Sequence, residues 1–98
     1  MWLAIFIEQK VAKLNLLDVI TNTCLIPVER LTLVELEYEH IQFLPAGQIG
    51  TIVSIYKENS PDPRYLIEFA DSQGKEYAMA TLKAEEVLAL QFELTVAD

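Results

Sequence analysis

The clearest alternation of apolar and polar positions lies in the second half of the chain. Ile49 to Tyr56 is dense in Ile, Val, Thr and Tyr and is bounded by turn formers, which predicts a β-strand. The following "KENSPDPR" carries Asn, Ser, Asp and two prolines, cannot hold a ladder, and reads as a solvated connection. "YLIEFA" then places Tyr65, Ile67 and Phe69 on one face, "DSQG" makes a tight turn at whose Gly74 a positive φ is needed, and "KEYAMATL" returns as the partner strand. "AEEV" gives one helical or 3-10 turn. Leu88, Leu90, Phe92 and Leu94 next alternate with Ala89, Gln91 and Glu93 as a last half-buried strand.

Upstream the pattern is less regular. "LNLLDVITN", residues 14 to 22, suits a short strand entering the core, and Pro27 ends it at the latest. Residues 28 to 44 carry two competing periods. Val34, Leu36 and Tyr38 alternate with Glu35, Glu37 and Glu39 as in an edge strand, while Thr32 and Glu35 stand at the spacing of a helix capping box. A strand or extended loop is the preferred reading of the two.

About five short strands, a long loop after the first, a tight central hairpin and a one-turn kink before the last strand form the plan of an all-β, SH3-like small barrel. "LPAGQIGTIVSIY" fits it, because a strand closing a small barrel needs unusual backbone and room for a crossing neighbour. Gly47 is expected in the turn and Gly50 in the bend, with Gly74 as the third structural glycine. A phosphate-cradling role for "GQIG" fails, since a strand and not a helix N-terminus follows it.

Composition sets the outer limits. A chain of 98 residues, 52% hydrophobic and 22% charged, is expected to fold as a single domain over 1–98, with 1–13 as an N-terminal extension and 28–44 as a long loop or insertion. The 15 acidic against 7 basic residues give a net charge of −8, which repels phosphate backbones, so no nucleic acid partner is expected. Cys24 is the single cysteine; it excludes an internal disulfide and fits a cytoplasmic location. "MWLAIFIEQK" lacks the basic start and small-residue cleavage pattern of a signal peptide, and its apolar run is far below the roughly 20 residues of a membrane span. It is expected to pack on its own domain, or else to bury Trp2, Ile5 and Phe6 against a second subunit as a homo-oligomer.

The segments "LLDVI", "LPAGQIGTIVSIY", "YLIEFADSQGKEYAMATLKAEEVLAL" and "QFEL" together resemble a family of short bacterial proteins, frequent in cyanobacteria, catalogued as domain of unknown function 4926. The most specific pieces are "GQIGTIV" and the "EFADSQGKEYA" hairpin with "LKAEEVLAL" behind it. The resemblance implies a compact SH3-type barrel and brings no activity, cofactor or functional residue with it. Over residues 27 to 44 this chain is longer than the family pattern, and its first dozen residues fall outside it.

Catalytic chemistry has little to draw on. His40 and Cys24 are single, with no partner motif around either, and a buried core thiol and a surface or partly buried imidazole are the expected readings. Glu35, Glu37 and Glu39 could gather a cation if extended, but such runs are the solvated face of an edge strand far more often. Asp71 resembles one ligand of a calcium loop whose other ligands are missing, so it reads as a turn residue. No cofactor is expected, and the chain is expected not to be an enzyme. The aromatic residues Trp2, Phe6, Tyr38, Phe43, Tyr56, Tyr65 and Tyr77 are the candidate contacts for an unidentified protein partner, since an aromatic groove anchors apolar side chains and an acidic surface attracts a basic one. The expected function is a protein-interaction module or accessory subunit. An antitoxin or immunity-type inhibitor is a narrower version, and an RNA-binding barrel is disfavoured because Lys57, Arg64, Lys75 and Lys83 are outnumbered by nearby carboxylates.

Overall fold

The computed structural model describes residues 2–8 and 14–95. These form strands β1 (Trp2–Glu8), β2 (Val19–Asn22), β3 (Ile26–Pro27), β4 (Leu31–Leu33), β5 (Phe43–Leu44), β6 (Ile49–Tyr56), β7 (Arg64–Ala70), β8 (Glu76–Leu82) and β9 (Val87–Thr95). Single 3-10 turns occupy Val28–Arg30, Leu36–Tyr38 and Ala84–Glu86, and no α-helix occurs among the described residues. Six antiparallel strands run in the order β9-β2-β6-β7-β8-β4, β1 extends the sheet on the β9 side, and β3 and β5 pair as a separate two-stranded ribbon.

The five strands expected from alternation are β2 and β6 to β9, and the 3-10 turn falls before the last of them. Closure into a barrel is a finer matter. The ladder order is linear, with β1 and β4 as its ends, and no hydrogen-bonded pairing joins those ends among the described residues. Residues 28–44 follow the extended reading: the capping-box spacing at Thr32 yields no α-helix, only the 3-10 turn at Leu36–Tyr38, and β4 adds an edge strand against β8.

The first core strand is shorter than its sequence suggests. Residues 14–18 form a turn in which Asp18 Oδ2 accepts the Asn15 N–H at 2.8 Å and Leu17 takes a φ of 70°, so the ladder starts at Val19. Short polar side chains bonding to nearby backbone compete with strand pairing in this way.

One core lies beneath the sheet. Ile20, Ile52, Ile67, Phe69 and Leu82 are fully enclosed, and the β3/β5 ribbon adds Ile26 and Leu44 from the long loop. In β7, Tyr65, Ile67 and Phe69 point inward and their neighbours outward, the strict alternation of a half-buried strand. Two irregularities bend the sheet. Ile52 pairs with Ile67 but Ser54 with Leu66, leaving Val53 as an extra residue in β6. Phe69 pairs with Ala78 but Ala70 with Glu76, leaving Tyr77 as an extra residue in β8. Such bulges increase local twist and re-aim side chains.

Of the glycines singled out, Gly47 and Gly74 have φ values of 89° and 80°, the left-handed turn conformation that a side chain disfavours. Gly50 has a different reason to be glycine. A Cβ there would stand 2.5 Å from Ile67 Cγ2 and 3.1 Å from both the Glu68 carbonyl oxygen and Phe69 Cδ1. The bulge in β6 therefore lies three residues further on, at Val53, and Gly50 serves the close approach of β6 to β7.

The long loop is held by a buried amide. Asn22, at 1% exposure, donates through Nδ2 to the carbonyls of Cys24 and Pro45, each at 2.9 Å, and accepts the Gln48 N–H on Oδ1 at 2.8 Å. Its backbone is paired with the same turn, for its carbonyl accepts the Gly47 N–H at 2.8 Å. Both ends of the residue 23–47 excursion are thus fastened to one side chain.

Replacing Gly50 with Val should lower stability by about 1–3 kcal/mol, the usual range for overpacking a filled site; a denaturant midpoint equal to wild type would contradict the close approach. Asn22→Ala should lose about 2–4 kcal/mol because it strips buried carbonyl and N–H groups of their partners. Asn22→Asp, nearly isosteric but without donors, should lose a comparable amount in the same chemical denaturation experiment.

Candidate functional site

A groove of about 710 Å³ lies between the end of the long loop and the β6–β7–β8 hairpins. The loop supplies Tyr38, Ile41, Phe43, Leu44 and Pro45 to one wall, and Gln48 to Thr51 carry it onto β6. Glu68, Ala70 and Asp71 from β7 and its turn, with Tyr77 from β8, complete it.

The fold builds this wall from two unrelated pieces of chain. The 3-10 turn, closed by the Tyr38 N–H donating to the Glu35 carbonyl at 3.1 Å, presents the Tyr38 ring. The β8 bulge takes Tyr77 out of the Ala78, Ala80, Leu82 alternation and leaves it buried against that ring. The two rings lie 4.8 Å apart between centroids and 30° from parallel, within the range of favourable aromatic pairs. Val34 N–H donates to the Tyr77 carbonyl at 3.0 Å, and Lys75 reaches Glu35 at 3.4 Å, so loop and hairpin are joined on both sides of the stack. Burial pushes the Tyr77 phenol above its ordinary pKa; the neutral hydroxyl donates to Gln48 Oε1 at 3.4 Å.

The rim combines two characters. Phe43 and Ile49 are about half exposed, at 47% and 48%, and form an apolar lip. Glu68 adds a carboxylate to the rim, and its closeness to Glu76, which favours a shared proton, raises the Glu76 carboxyl above its ordinary pKa. Asp71 is committed to its turn, where Oδ1 accepts the N–H groups of Gln73 and Lys75, both at 2.9 Å.

Of the aromatic candidates, Tyr38, Phe43 and Tyr77 therefore meet in this groove. Tyr65 is 7% exposed within the core, and Tyr56 is exposed at the opposite end of β6, so neither lines it. Trp2 and Phe6 lie on β1, at the far side of the sheet order. The groove residues Ile41, Pro45, Ile49 and Glu68 had no distinguishing pattern in the sequence, and only the path of the loop brings them together.

Cys24 and His40 are not brought together. The thiol lies 3.8 Å from Glu86 Oε2, and burial followed by that carboxylate pushes its pKa up, away from the reactive thiolate. His40 faces solvent beside Glu39. No group of three or more His, Cys, Asp or Glu side chains that could hold a metal occurs among the described residues, Glu35 being engaged with Lys75.

Glu86 instead organises a clasp that no sequence pattern announced. Arg30 grips both its oxygens, at 2.8 and 2.9 Å, and Oε1 accepts the Lys83 N–H at 2.9 Å as the cap of the last 3-10 turn. The Arg30 hydrogen bond is the main cause that holds the Glu86 carboxyl at a pKa of about 2, below its ordinary 4.5. A depressed carboxyl pKa contributes stability that is present above pH 4.5 and lost as pH falls toward 2. Glu86→Gln should accordingly be less stable than wild type near neutrality, and the gap should shrink in urea titrations below pH 4.5. A gap unchanged down to pH 2.5, about two units beneath the ordinary carboxyl value, would refute the clasp.

No helix among the described residues is long and apolar enough to cross a membrane. Comparison with curated proteins and with solved structures finds no match for either. A family model does match, over residues 16–89, which takes in the strands from β2 to β8, the long loop and the start of β9. The chain belongs to the family described as Domain of unknown function (DUF4926).

Proposed function

We propose that this protein is a non-enzymatic, cytoplasmic protein-interaction module whose groove takes an extended segment of a partner protein. An apolar side chain of that segment packs on Phe43 and Ile49 beside the Tyr38–Tyr77 pair, and a Lys or Arg next to it approaches Glu68. The supporting observation is the conjunction in one groove of stacked tyrosines, a half-exposed apolar lip and an acidic wall. Interfaces concentrate their energy in anchors of this kind, and charges on the rim set the rate and choice of partner. The net charge of −8 favours the same cationic partner at longer range.

The finer fold reading belongs to the proposal as well. The order β9-β2-β6-β7-β8, with the long loop between its first two strands in the chain, supports an SH3-like small barrel. Function is argued from the groove and not from that likeness, because small barrels carry unrelated activities.

Selection of random linear peptides against the full chain should enrich sequences pairing an aliphatic residue or proline with Lys or Arg. Phe43→Ala, at an exposed position, should weaken a selected peptide about tenfold or more, equivalent to about 1.4 kcal/mol. Glu68→Gln should slow association and flatten its salt dependence. Recovery of no peptide, or binding indifferent to Phe43→Ala, would refute the proposal.

A further inference from the structure

The ribbon of β3 and β5 has an open edge, and its register says which groups lie there. Val28 N–H donates to the Gln42 carbonyl at 3.0 Å, and the same register sets Pro27 against Phe43 and Ile26 against Leu44. In an antiparallel pair, residues that exchange hydrogen bonds alternate with residues that do not. Val28 with Gln42 and Ile26 with Leu44 are therefore the bonded pairs, and Phe43 turns its N–H and C=O away from β3. Proline suits position 27 for the same reason, since the ribbon needs no N–H from it.

That edge borders the groove. Phe43 and Leu44 of β5 line it, whereas Ile26 and Pro27 of β3 do not. The backbone groups on either side of Phe43 are already engaged. The Pro45 carbonyl accepts Asn22 Nδ2 at 2.9 Å, and the Ile41 N–H donates to the Tyr38 carbonyl at 3.2 Å. Phe43 itself has no backbone hydrogen bond outside the ribbon among the described residues. One N–H and one C=O, flanking a half-exposed ring, thus face open volume. Unpaired edge groups of this kind are a template for another extended chain.

We propose that the partner segment enters the groove as a third strand of this ribbon, antiparallel to β5, with one of its residues exchanging both backbone hydrogen bonds with Phe43. The inference rests on the groove being a peptide site and adds how the peptide is held. An antiparallel strand suits an edge with a single free residue, because one partner residue satisfies its N–H and its C=O together. Residues opposite one another share a face, so the side chain of the paired residue lies beside the Phe43 ring at the apolar lip. Its two neighbours in the segment point the way Leu44 does, on the opposite side of the ribbon.

Selectivity then has a backbone component. Proline is excluded at the paired position, which must donate an N–H, and is admitted at the positions beside it, whose N–H groups point away from β5. Main-chain pairing supplies affinity, and the alternating side chains supply the choice of partner.

The test is a backbone scan of a peptide selected on the full chain. Methylation of the amide nitrogen at one interior residue, the one opposite Phe43, should weaken binding about tenfold or more, because it removes a hydrogen bond and blocks the approach of the strand. The same change at either neighbour should leave affinity within about twofold. On the protein side, the Phe43 amide hydrogen should exchange freely in the unbound chain and about tenfold more slowly when saturated with the unmethylated peptide. A peptide that depends on the Phe43 ring yet tolerates methylation at every position would overturn strand addition and leave the groove read by side chains alone. Unchanged exchange of the Phe43 amide in the complex would do the same. Failure to recover any peptide would overturn both readings.

Discussion

The long excursion from residue 23 to residue 47 depends on the amide of Asn22. A segment with little regular structure of its own must leave the sheet, travel past the core and return to start β6. Its backbone polar groups near the core need partners, and an unpaired buried group costs about 1–3 kcal/mol. Asn22 satisfies two carbonyls at the loop's departure and return and one N–H beyond, using both donors and one acceptor of a single side chain. Ile26 and Leu44 can then enter the core from the β3/β5 ribbon, and Tyr38 is delivered to the face of Tyr77. The groove is a consequence of that fastening more than of any local propensity around it.

The second half of the chain was the legible part. β6 to β9, the turn at Gly74 and the 3-10 turn before the last strand follow from alternation and turn chemistry, which act within a few residues. The features that escaped are those that depend on contacts distant in sequence. "LNLLDVITN" reads as one strand because nothing in its composition reveals that Asn15 and Asp18 tie a turn or that Asn22 faces inward. Tyr65 and Tyr77 look equivalent as alternating aromatics of a hairpin and both are buried in the core, yet only Tyr77, the extra residue of the β8 bulge, also lines the groove. Gly50 was expected to permit a bend and instead permits two strands to approach, a distinction that resides in Ile67 and Phe69 on the neighbouring strand. The Arg30–Glu86 clasp joins residues with no shared motif.

Charge is arranged and not merely abundant. Carboxylates that face structural partners are neutralised locally, Glu86 by Arg30 and Glu35 by Lys75. Glu68 of the groove is left beside Glu76, whose pKa it raises as a hydrogen-bond partner first and as a like charge after that. Arg30, Arg64 and Lys75 are each engaged by a carboxylate of the same chain, and a net charge of −8 leaves acidic groups in excess over the remaining basic ones.

The position of β2 between β6 and β9 governs the order in which the molecule can assemble. The β6–β7–β8 meander needs only neighbouring hairpins, whereas Asn22 must find Val87 across almost the whole intervening chain. Loop closure over that span is entropically unfavourable and slow. During synthesis the meander can form while β2 waits beside it with one edge bare, and only the arrival of β9 seals that edge.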